Sequence, residues 1–588
     1  MDKKWGRTLA KKNIGAKSEK KLGNDLILLL PVLFITTLFL FCVRCRIVPT
    51  GYDGFFWYAE GEYTGDLYAY FRMQVFTVLT AVFAAYMIFL LATGNVKLYK
   101  HKVYIPMIVY VVMVIVSYLL SEYKNIALFG AIGKYEGTLT LICYMLILFY
   151  TMHAIRSENS VKLVLKCFGI ACLVLGLWGI LQVTGIRLDQ LPEALYIPAS
   201  MRGYVDPFQD MQTTAVNWFF TNQNYVSFFL IFPVCLFGMA CIGTEDKKKK
   251  ILWAALTGLM LFCLWQASSL GGMVGLAVSV VAALLIAGGK NIAKWGKSLG
   301  ILALAAVVSI GASLPVIMGE VKSGVGQNEL TAEGDLQFAK IDHIITEGAD
   351  IVFSFAGEEI RIETEKDALK EVQENPYLQA SAYTDEGTGY TIIEAKTANK
   401  TWPFAVVDGQ TYFVSEAGEP IQLDKVDSMG FENSQEFATN RGYIWSRTLP
   451  LVKETVLFGK GADTFAIYFP QDDYAGKYNI GYYTDDYNAQ YDKPHNMYLG
   501  WAVNTGVISM VAMIVVFLLY LAESVKVYRK HTYEGVMDHI GMGIFISVVG
   551  FMVSGLVNDT TIQMMPLVYV FMGMGFAINR MLKNSAEK

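Results

Sequence analysis

The second half of the chain contains no cysteine, because all eight cysteines of its 588 residues lie between Cys42 and Cys263. A disulfide framework is therefore excluded from the large polar region that follows residue 319. Charge is also scarce, since charged residues make up only 17% of the sequence and the formal net charge is −4. The chain thus lacks the basic excess that is typical of nucleic-acid-binding proteins.

Apolar residues dominate the sequence instead. They make up 54% of the chain, and the mean hydropathy of +0.39 is too high for an ordinary soluble protein. About twelve apolar segments approach the roughly 20 residues that a helix needs to cross a bilayer. These segments are 26–45, 74–92, 103–120, 138–153, 163–183, 225–241, 251–267, 274–286, 299–318, 496–521, 540–556 and 564–578. We therefore predict an all-α polytopic membrane protein with about twelve transmembrane helices.

Lysine and arginine are distributed unevenly between the loops. Eight of them lie between Lys3 and Lys21, ahead of the first apolar segment. Every second loop is also basic, as the positive-inside rule expects of cytoplasmic loops. These loops are 95–102, 156–162, 243–250, 288–297 and 523–539. We predict that the tails 1–25 and 580–588 are both cytoplasmic and that the polar region 319–495 is extracytoplasmic.

The large polar region has two parts. Between about 334 and 422, β-forming residues alternate or cluster between glycine-containing turns, which predicts a small β-rich insert. Residues 440–494 differ, because Ile444, Leu449 and Val452 follow helical spacing and predict a helix at the membrane interface. The predicted order of domains is a basic tail 1–25, a transmembrane bundle 26–318, the external region 319–495, further spans 496–579 and a tail 580–588.

One histidine and three arginines lie near the predicted outer boundary of the membrane. His495 precedes the tenth apolar segment, where an ionisable group meets both water and lipid. Histidine is suited to take a proton from a sugar hydroxyl, and the planar fork of arginine is suited to a diphosphate. Arg202, Arg441 and Arg447 could supply that fork. No Asp-x-Asp pair stands near them, so the sequence predicts no metal site, and the arginines would neutralise the charge.

Each of these residues also has an ordinary structural interpretation. Arg202 could be a solvated loop residue or one whose side chain reaches the lipid headgroups. Arg441 and Arg447 are six positions apart and share a helix face poorly, so one of them could bind lipid phosphate. His495 could be a structural residue before a helix, with Asn496 as the helix N-cap.

Five motifs in the chain stand in an order that is known from one family. They are Arg441-Gly-Tyr-Ile-Trp445, Gly459-Lys-Gly461 with Phe465, His495-Asn-Met-Tyr498, Thr505-Gly506 and, upstream, Gly133-Lys-Tyr-Glu-Gly137. This series resembles the O-antigen ligase and O-antigen polymerase superfamily. Two positions depart from the family pattern: Gln223 stands where the family usually has proline, and Lys134 where it often has arginine. Both residues are left out of the candidate site for that reason.

The resemblance implies a membrane glycosyltransferase of the GT-C type in the bacterial cytoplasmic membrane. Such enzymes transfer or polymerise a glycan from an undecaprenyl diphosphate carrier at the outer face, without a metal, a cofactor or a nucleotide-sugar donor. By the same resemblance His495 would be the base, and Arg441 and Arg202 would bind the donor diphosphate. Arg447 is a further candidate for binding the diphosphate, on the chemistry of arginine alone. The implied partners are the lipid-linked oligosaccharide, the bilayer and a glycan, lipid or protein acceptor, with no nucleic acid. Ligase and polymerase are not separated.

A transporter or flippase of lipid-linked sugars is the main alternative. Transporters usually place charged or discontinuous elements near the bilayer midplane, within internal repeats. The predicted spans contain almost no charge and no convincing repeat, and the large polar region 319–495 lies on the predicted outer side. These features favour a transferase.

Overall fold

The computed structural model describes residues 26–58, 61–185, 216–325, 336–365, 368–373, 375–481, 490–529 and 531–586, and the side chains of all of these except 319–325 and 586. Most of the described residues are helical. The helices are α1 (Leu26–Phe41), α2 (Tyr70–Ala92), α3 (Tyr104–Leu120), α4 (Lys124–Phe129), α5 (Thr138–Ala154), α6 (Glu158–Val183), α7 (Gln223–Gly243), α8 (Lys247–Gln266), α9 (Leu270–Val325), α10 (Phe437–Glu454), α11 (Phe465–Tyr468), α12 (Tyr474–Asn479), α13 (Met497–Thr505), α14 (Val507–Tyr528), α15 (Val536–Ser554) and α16 (Met565–Ala586).

Seven of these helices are long and apolar enough to cross a membrane, namely α2, α6, α7, α9, α14, α15 and α16. The apolar helices α1, α3 and α5 are shorter. Each apolar segment identified in the sequence overlaps one of the described helices. The class of polytopic, mostly helical membrane protein is therefore confirmed, whereas the count of about twelve spans and the GT-C relationship stay predictions.

Two predicted boundaries are wrong, and both involve a glycine. Residues 289–297 are helical and do not form a loop, because only Gly288 (φ 70°, ψ 160°) leaves the helical conformation and the helix resumes directly after it. The tenth segment is not one helix, since Gly506 (φ 95°) separates α13 from α14. A Cβ atom at Gly506 would lie 3.0 Å from the carbonyl oxygen of Leu457, so both the backbone conformation and the close approach require glycine.

The described strands form three small antiparallel sheets. Their bounds are β1 (Arg46–Pro49), β2 (Tyr63–Asp66), β3 (Ile341–Glu347), β4 (Asp350–Phe355), β5 (Glu358–Glu365), β6 (Ala368–Val372), β7 (Gln379–Thr384), β8 (Thr391–Thr397), β9 (Lys400–Val407), β10 (Gln410–Val414) and β11 (Pro420–Ile421). The strand orders are β1-β2, β3-β4-β5-β6 and β11-β10-β9-β8-β7. Phe353 of β4 contacts Trp402 and Phe404 of β9 edge to face, so the two larger sheets share one apolar core. Tyr474 and Tyr478 of α12 belong to the same core and attach the β-rich insert to the rest of the protein.

Stacked aromatic rings hold the centre of the helix bundle together. Phe228 and Phe232 of α7 stack on Phe551 of α15 and Phe571 of α16, with ring centroids 4.5 and 5.7 Å apart. Such pairs add roughly 0.5–1.5 kcal/mol beyond the burial of their area. This packing brings the end of α15 and the start of α16 next to the starts of α5 and α13, at the end of the bundle that carries the insert.

Candidate functional site

His495 lies beside a carboxylate that comes from a distant part of the chain. Its Nδ1 atom is 3.1 Å from Oδ2 of Asp559, which lies between α15 and α16. The imidazole is 35% exposed, whereas the carboxylate is only 3% exposed. One ring nitrogen thus lies against a buried acid while the ring itself remains accessible. Burial by itself would raise the pKa of Asp559, but His495, followed by Lys134 and Lys493, holds that pKa below its ordinary value.

The backbone around His495 is fixed by the residues that end α15. Asn496 caps α13, because its side chain accepts hydrogen bonds from the backbone N–H groups of Tyr498 and Leu499 at 3.0 and 3.1 Å. Its own backbone N–H donates to Oδ1 of Asp559, and its side-chain amide donates to the carbonyl oxygen of Leu556. The N-cap interpretation of Asn496 is therefore confirmed. The same cap also places the preceding histidine against Asp559.

A buried ion pair lies next to the His495–Asp559 pair. Lys134 Nζ is 3.0 Å from Oδ1 of Asp463, and the two side chains are 9% and 2% exposed. Asp463 also accepts hydrogen bonds from the backbone N–H groups of Ala131 and Glu136 at 3.2 and 2.7 Å. Burial lowers the pKa of Lys134, but Asp463, Glu136 and Asp559 outweigh that effect and raise it above the ordinary value. Lys134 is therefore a fixed positive charge within this network.

Glu136 connects the two pairs. Its side chain accepts hydrogen bonds from the hydroxyls of Tyr144, at 2.8 Å, and of Thr560, which follows Asp559 in the chain. Burial raises the pKa of Glu136 to about 7, against the lowering effect of Lys134. A cavity of about 20 Å³ lies among these side chains, which is room for about one water molecule.

Raising the pH from about 5 to about 8 is expected to destabilise the fold through Glu136. In the unfolded chain this group releases its proton near its ordinary pKa of 4.5, but in the fold it holds the proton up to about 7. Between these values the folded state binds more protons, so the free energy of unfolding falls as the pH rises. Thermal unfolding in lipid nanodiscs should show this slope in the wild type and lose most of it in Glu136→Gln.

The matched control for this pH dependence is Glu158→Gln, because Glu158 is 48% exposed and pairs only with Lys162 on the surface of α6. Its pH dependence should equal that of the wild type. An unchanged slope in Glu136→Gln would show that this carboxyl does not titrate between its two pKa values in the fold.

Arg441 lies at the start of the regular part of α10 and interacts electrostatically with Asp559. Three residues with positive φ, 438–440, precede it, and its Nη1 atom donates to the carbonyl oxygen of Ala438 at 2.7 Å. Its Nε atom is buried without a hydrogen-bond partner among the described residues, and no described carboxylate pairs with the guanidinium. One turn further along α10, the indole N–H of Trp445 donates to the carbonyl oxygen of Pro494 at 2.9 Å. Arg441 thus offers an unneutralised cation next to the segment that carries the histidine.

Arg447, on a different face of α10, is engaged elsewhere. Its Nε atom donates to Oδ2 of Asp473 at 2.7 Å and its Nη1 atom donates to Ser446 Oγ at 2.8 Å. The two charged side chains are 8% and 6% exposed. Arg447 thus has a structural partner in Asp473, and the diphosphate role that its chemistry indicated stays a prediction. The helix predicted from residue 440 onward is present as α10, and its position at the membrane interface stays a prediction.

Arg202 lies outside the described residues. Gln223 starts α7, whose N-cap Asn222 accepts a hydrogen bond from the backbone N–H of Asn224 at 2.8 Å. The amide residues Asn222, Gln223 and Asn224 therefore have a structural explanation as the start of α7.

Sequence reasoning missed Asp559 and the role of Lys134. The available signal for Asp559 was the polar run Asn558-Asp559-Thr560-Thr561 between two apolar helices.

Two glycine motifs of the sequence meet directly beneath this network. The backbone N–H groups of Lys460 and Gly461 donate to the carbonyl oxygens of Val503 and Asn504 at 3.0 and 2.9 Å. A Cβ atom at Gly459 would lie 2.3 Å from the carbonyl carbon of Asn504, so that the contact requires glycine. This contact holds Asp463, which is two residues after Gly461, against Lys134. Within the described part of the chain, no group of three or more His, Cys, Asp or Glu side chains is placed to hold a metal ion.

Fold and site together define a polytopic membrane protein with a histidine, a carboxylate and an unneutralised arginine at one end of its helix bundle. Residues 255–514 match the family model described as O-antigen ligase, which confirms the resemblance that the motifs indicated. The family supports a glycosyltransferase-like membrane enzyme. No curated protein and no solved structure matches the chain. The matched region contains His495 and Arg441, whereas Lys134 and Asp559 lie outside it.

Proposed function

We propose that the protein transfers or polymerises a glycan carried on undecaprenyl diphosphate, at the outer face of the cytoplasmic membrane of a bacterium. The reaction would serve the synthesis of a cell-surface polysaccharide. The donor would be the lipid-linked oligosaccharide, and the acceptor a sugar hydroxyl on a glycan, lipid or protein. The observation that carries this proposal is the His495–Asp559 pair, 3.1 Å apart, beside the unpaired guanidinium of Arg441.

In this mechanism His495 is the base. Asp559 holds Nδ1, so Nε2 takes the proton of the acceptor hydroxyl as its oxygen attacks the anomeric carbon. The new carbon–oxygen bond forms as the bond from that carbon to the phosphate oxygen breaks, and the undecaprenyl diphosphate leaves with the electron pair. The configuration at the anomeric carbon is inverted. Arg441 neutralises the charge that develops on the diphosphate, because its fork remains protonated at any working pH.

Reconstitution of the full chain in lipid nanodiscs with an extracted lipid-linked oligosaccharide tests this function directly. Long glycan chains would identify a polymerase, and labelling of an added acceptor would identify a ligase. Movement of the intact donor across a liposome membrane without any new glycosidic bond would overturn the proposal in favour of a flippase.

Asp559→Asn should lower the rate constant of glycan transfer by about 10- to 100-fold, with little change in the KM for either substrate. The neutral amide no longer stabilises the imidazolium that forms when His495 takes the proton. Initial rates at saturating donor and acceptor measure the effect. The matched control is Asp538→Asn, since Asp538 lies 3.1 Å from His531 in a similar pair at the start of α15. A rate constant unchanged relative to the control would remove Asp559 from the mechanism.

Arg441→Lys should raise the KM for the lipid-linked donor by roughly tenfold, because the charge persists but the two parallel hydrogen bonds are lost. The KM for the acceptor should remain the same. Arg361→Lys in the β-rich insert is the control, since that arginine is 42% exposed and pairs with Glu347 and Asp350. Equal donor KM values in the two variants would count against the role of Arg441.

A further inference from the structure

A polar cavity of about 210 Å³ lies next to the candidate site and plays no part in the mechanism described above. We call it the vestibule; its walls include Tyr52, Tyr58, Thr64, Lys134, Gln490 and Asp492. A single water needs only about 10–15 Å³ of such space, so the vestibule is large enough for a small organic group. It lies between the loop that joins β1 to β2 and the segment that leads to His495.

The loop between β1 and β2, which forms one wall of the vestibule, is anchored by several contacts. The ring of Tyr52 packs on Trp57 and Tyr58, with centroids 5.2 and 5.6 Å away. The side-chain amide of Gln490 donates to the carbonyl oxygen of Trp57 at 3.2 Å. The backbone N–H of Ala417, in the insert, donates to the carbonyl oxygen of Phe56 at 3.3 Å. The vestibule is therefore a built cavity with two anchored walls.

The polar groups of the vestibule suit a hydroxyl-rich ligand. The Tyr52 hydroxyl makes no hydrogen bond with a described residue although its ring is only 4% exposed, and it borders the cavity. A hydroxyl, a carboxylate and an amide can together donate to and accept from several sugar hydroxyls. The side chain of Asp492 is 45% exposed and pairs through Oδ2 with Lys493 at 2.9 Å, so its other carboxylate oxygen can accept a hydrogen bond from a sugar hydroxyl.

The vestibule lies close to the base of the proposed reaction. Asp492 in its wall is three residues from His495, and three residues span at most about 10–11 Å. Lys134 borders both the vestibule and the small cavity that Asp559 lines. A sugar in the vestibule would thus lie within reach of the imidazole.

We infer that the vestibule is the subsite that binds the sugar ring of the acceptor glycan. This inference rests on the proposed function and adds a place for the second substrate. The loop between β1 and β2 would contribute to acceptor choice through Tyr52, and the rest of the acceptor would extend into the solvent.

The test uses the full chain in nanodiscs and oligosaccharides released by hydrolysis from the surface polysaccharide of the source cells. Binding is followed by saturation-transfer NMR, which needs neither donor nor turnover. Tyr52→Phe should weaken binding roughly three- to tenfold, the effect of one lost hydrogen bond. Thr64→Trp should abolish binding by filling the cavity. Tyr412→Phe is the control, because that hydroxyl donates to Gln410 on the insert.

The two proposals fail differently. If the wild type binds no oligosaccharide, or if all three variants bind as the wild type does, the vestibule is not the acceptor subsite. In that case the loss of transfer in a His495 variant would still support the proposed function. If binding depends on Tyr52 and Thr64 while His495→Ala transfers glycan at the full rate, the vestibule remains a glycan site and the proposed chemistry is wrong. Unchanged elution in size-exclusion chromatography confirms that each variant is folded.

Discussion

Replacing His495 by alanine is expected to reduce glycan transfer by about 10²- to 10⁴-fold, the usual contribution of a positioned general base. The side chain is 35% exposed, so its removal leaves no deeply buried cavity, and Asn496 still caps α13. The protein should therefore reach the membrane in normal amount. Formation of labelled product from the lipid-linked donor measures the effect, with the amount of folded protein as the reference.

His343→Ala is the control for that variant, since His343 lies on the β-rich insert, 4.0 Å from Glu359. It should transfer glycan at the rate of the wild type. Full activity of His495→Ala would remove the histidine from the mechanism and would leave Asp559 as a structural residue only.

Lys134→Met should cost about 3–5 kcal/mol of stability, because it leaves the carboxylate of Asp463 buried without its cation. That side chain is only 2% exposed, and Glu136 adds a second carboxyl nearby. The expected result is a large drop in the temperature of thermal unfolding and a low yield from the membrane. Lys162→Met is the matched control, since the pair of Lys162 and Glu158 is 49% and 48% exposed and contributes little.

A second variant makes the origin of this loss testable. Adding Asp463→Asn to Lys134→Met removes the uncompensated charge while keeping an oxygen for the backbone N–H groups of Ala131 and Glu136. The double variant should regain part of the lost stability. If it is less stable than Lys134→Met alone, the ion pair is not the source of the effect.

The sequence predicted those features that arise from local patterns. Apolar runs of sufficient length identified the membrane helices, and Asn496 was recognised as a cap because capping depends on neighbouring residues. The glycines at 288 and 506 show the limit of such patterns, since both interrupt a helix with a similar positive-φ conformation. They differ in packing, because a Cβ atom at Gly506 would lie 3.0 Å from the carbonyl oxygen of Leu457, whereas a Cβ atom at Gly288 would meet nothing within 4 Å.

The candidate site was only partly predictable for the same reason. His495 and Arg441 stand in recognisable motifs, whereas Asp559 and Lys134 become functional candidates through contacts between segments far apart in the chain. Arg441 and Arg447 look alike in sequence, yet Asp473 neutralises one and no described carboxylate pairs with the other. Such pairing is decided by the tertiary fold.

The network around His495 also limits how the protein can be re-engineered. The loop after α15 holds Asn496 through Asp559 and Leu556, and Thr560 donates to Glu136 in the loop before α5. Three separate stretches thus interlock, and two of them lie outside the region shared with the family. A chimaera that transplants only residues 255–514 into a homologous host would separate the histidine from its native acid, and exchanging substrate preference between such proteins requires all three stretches to move together.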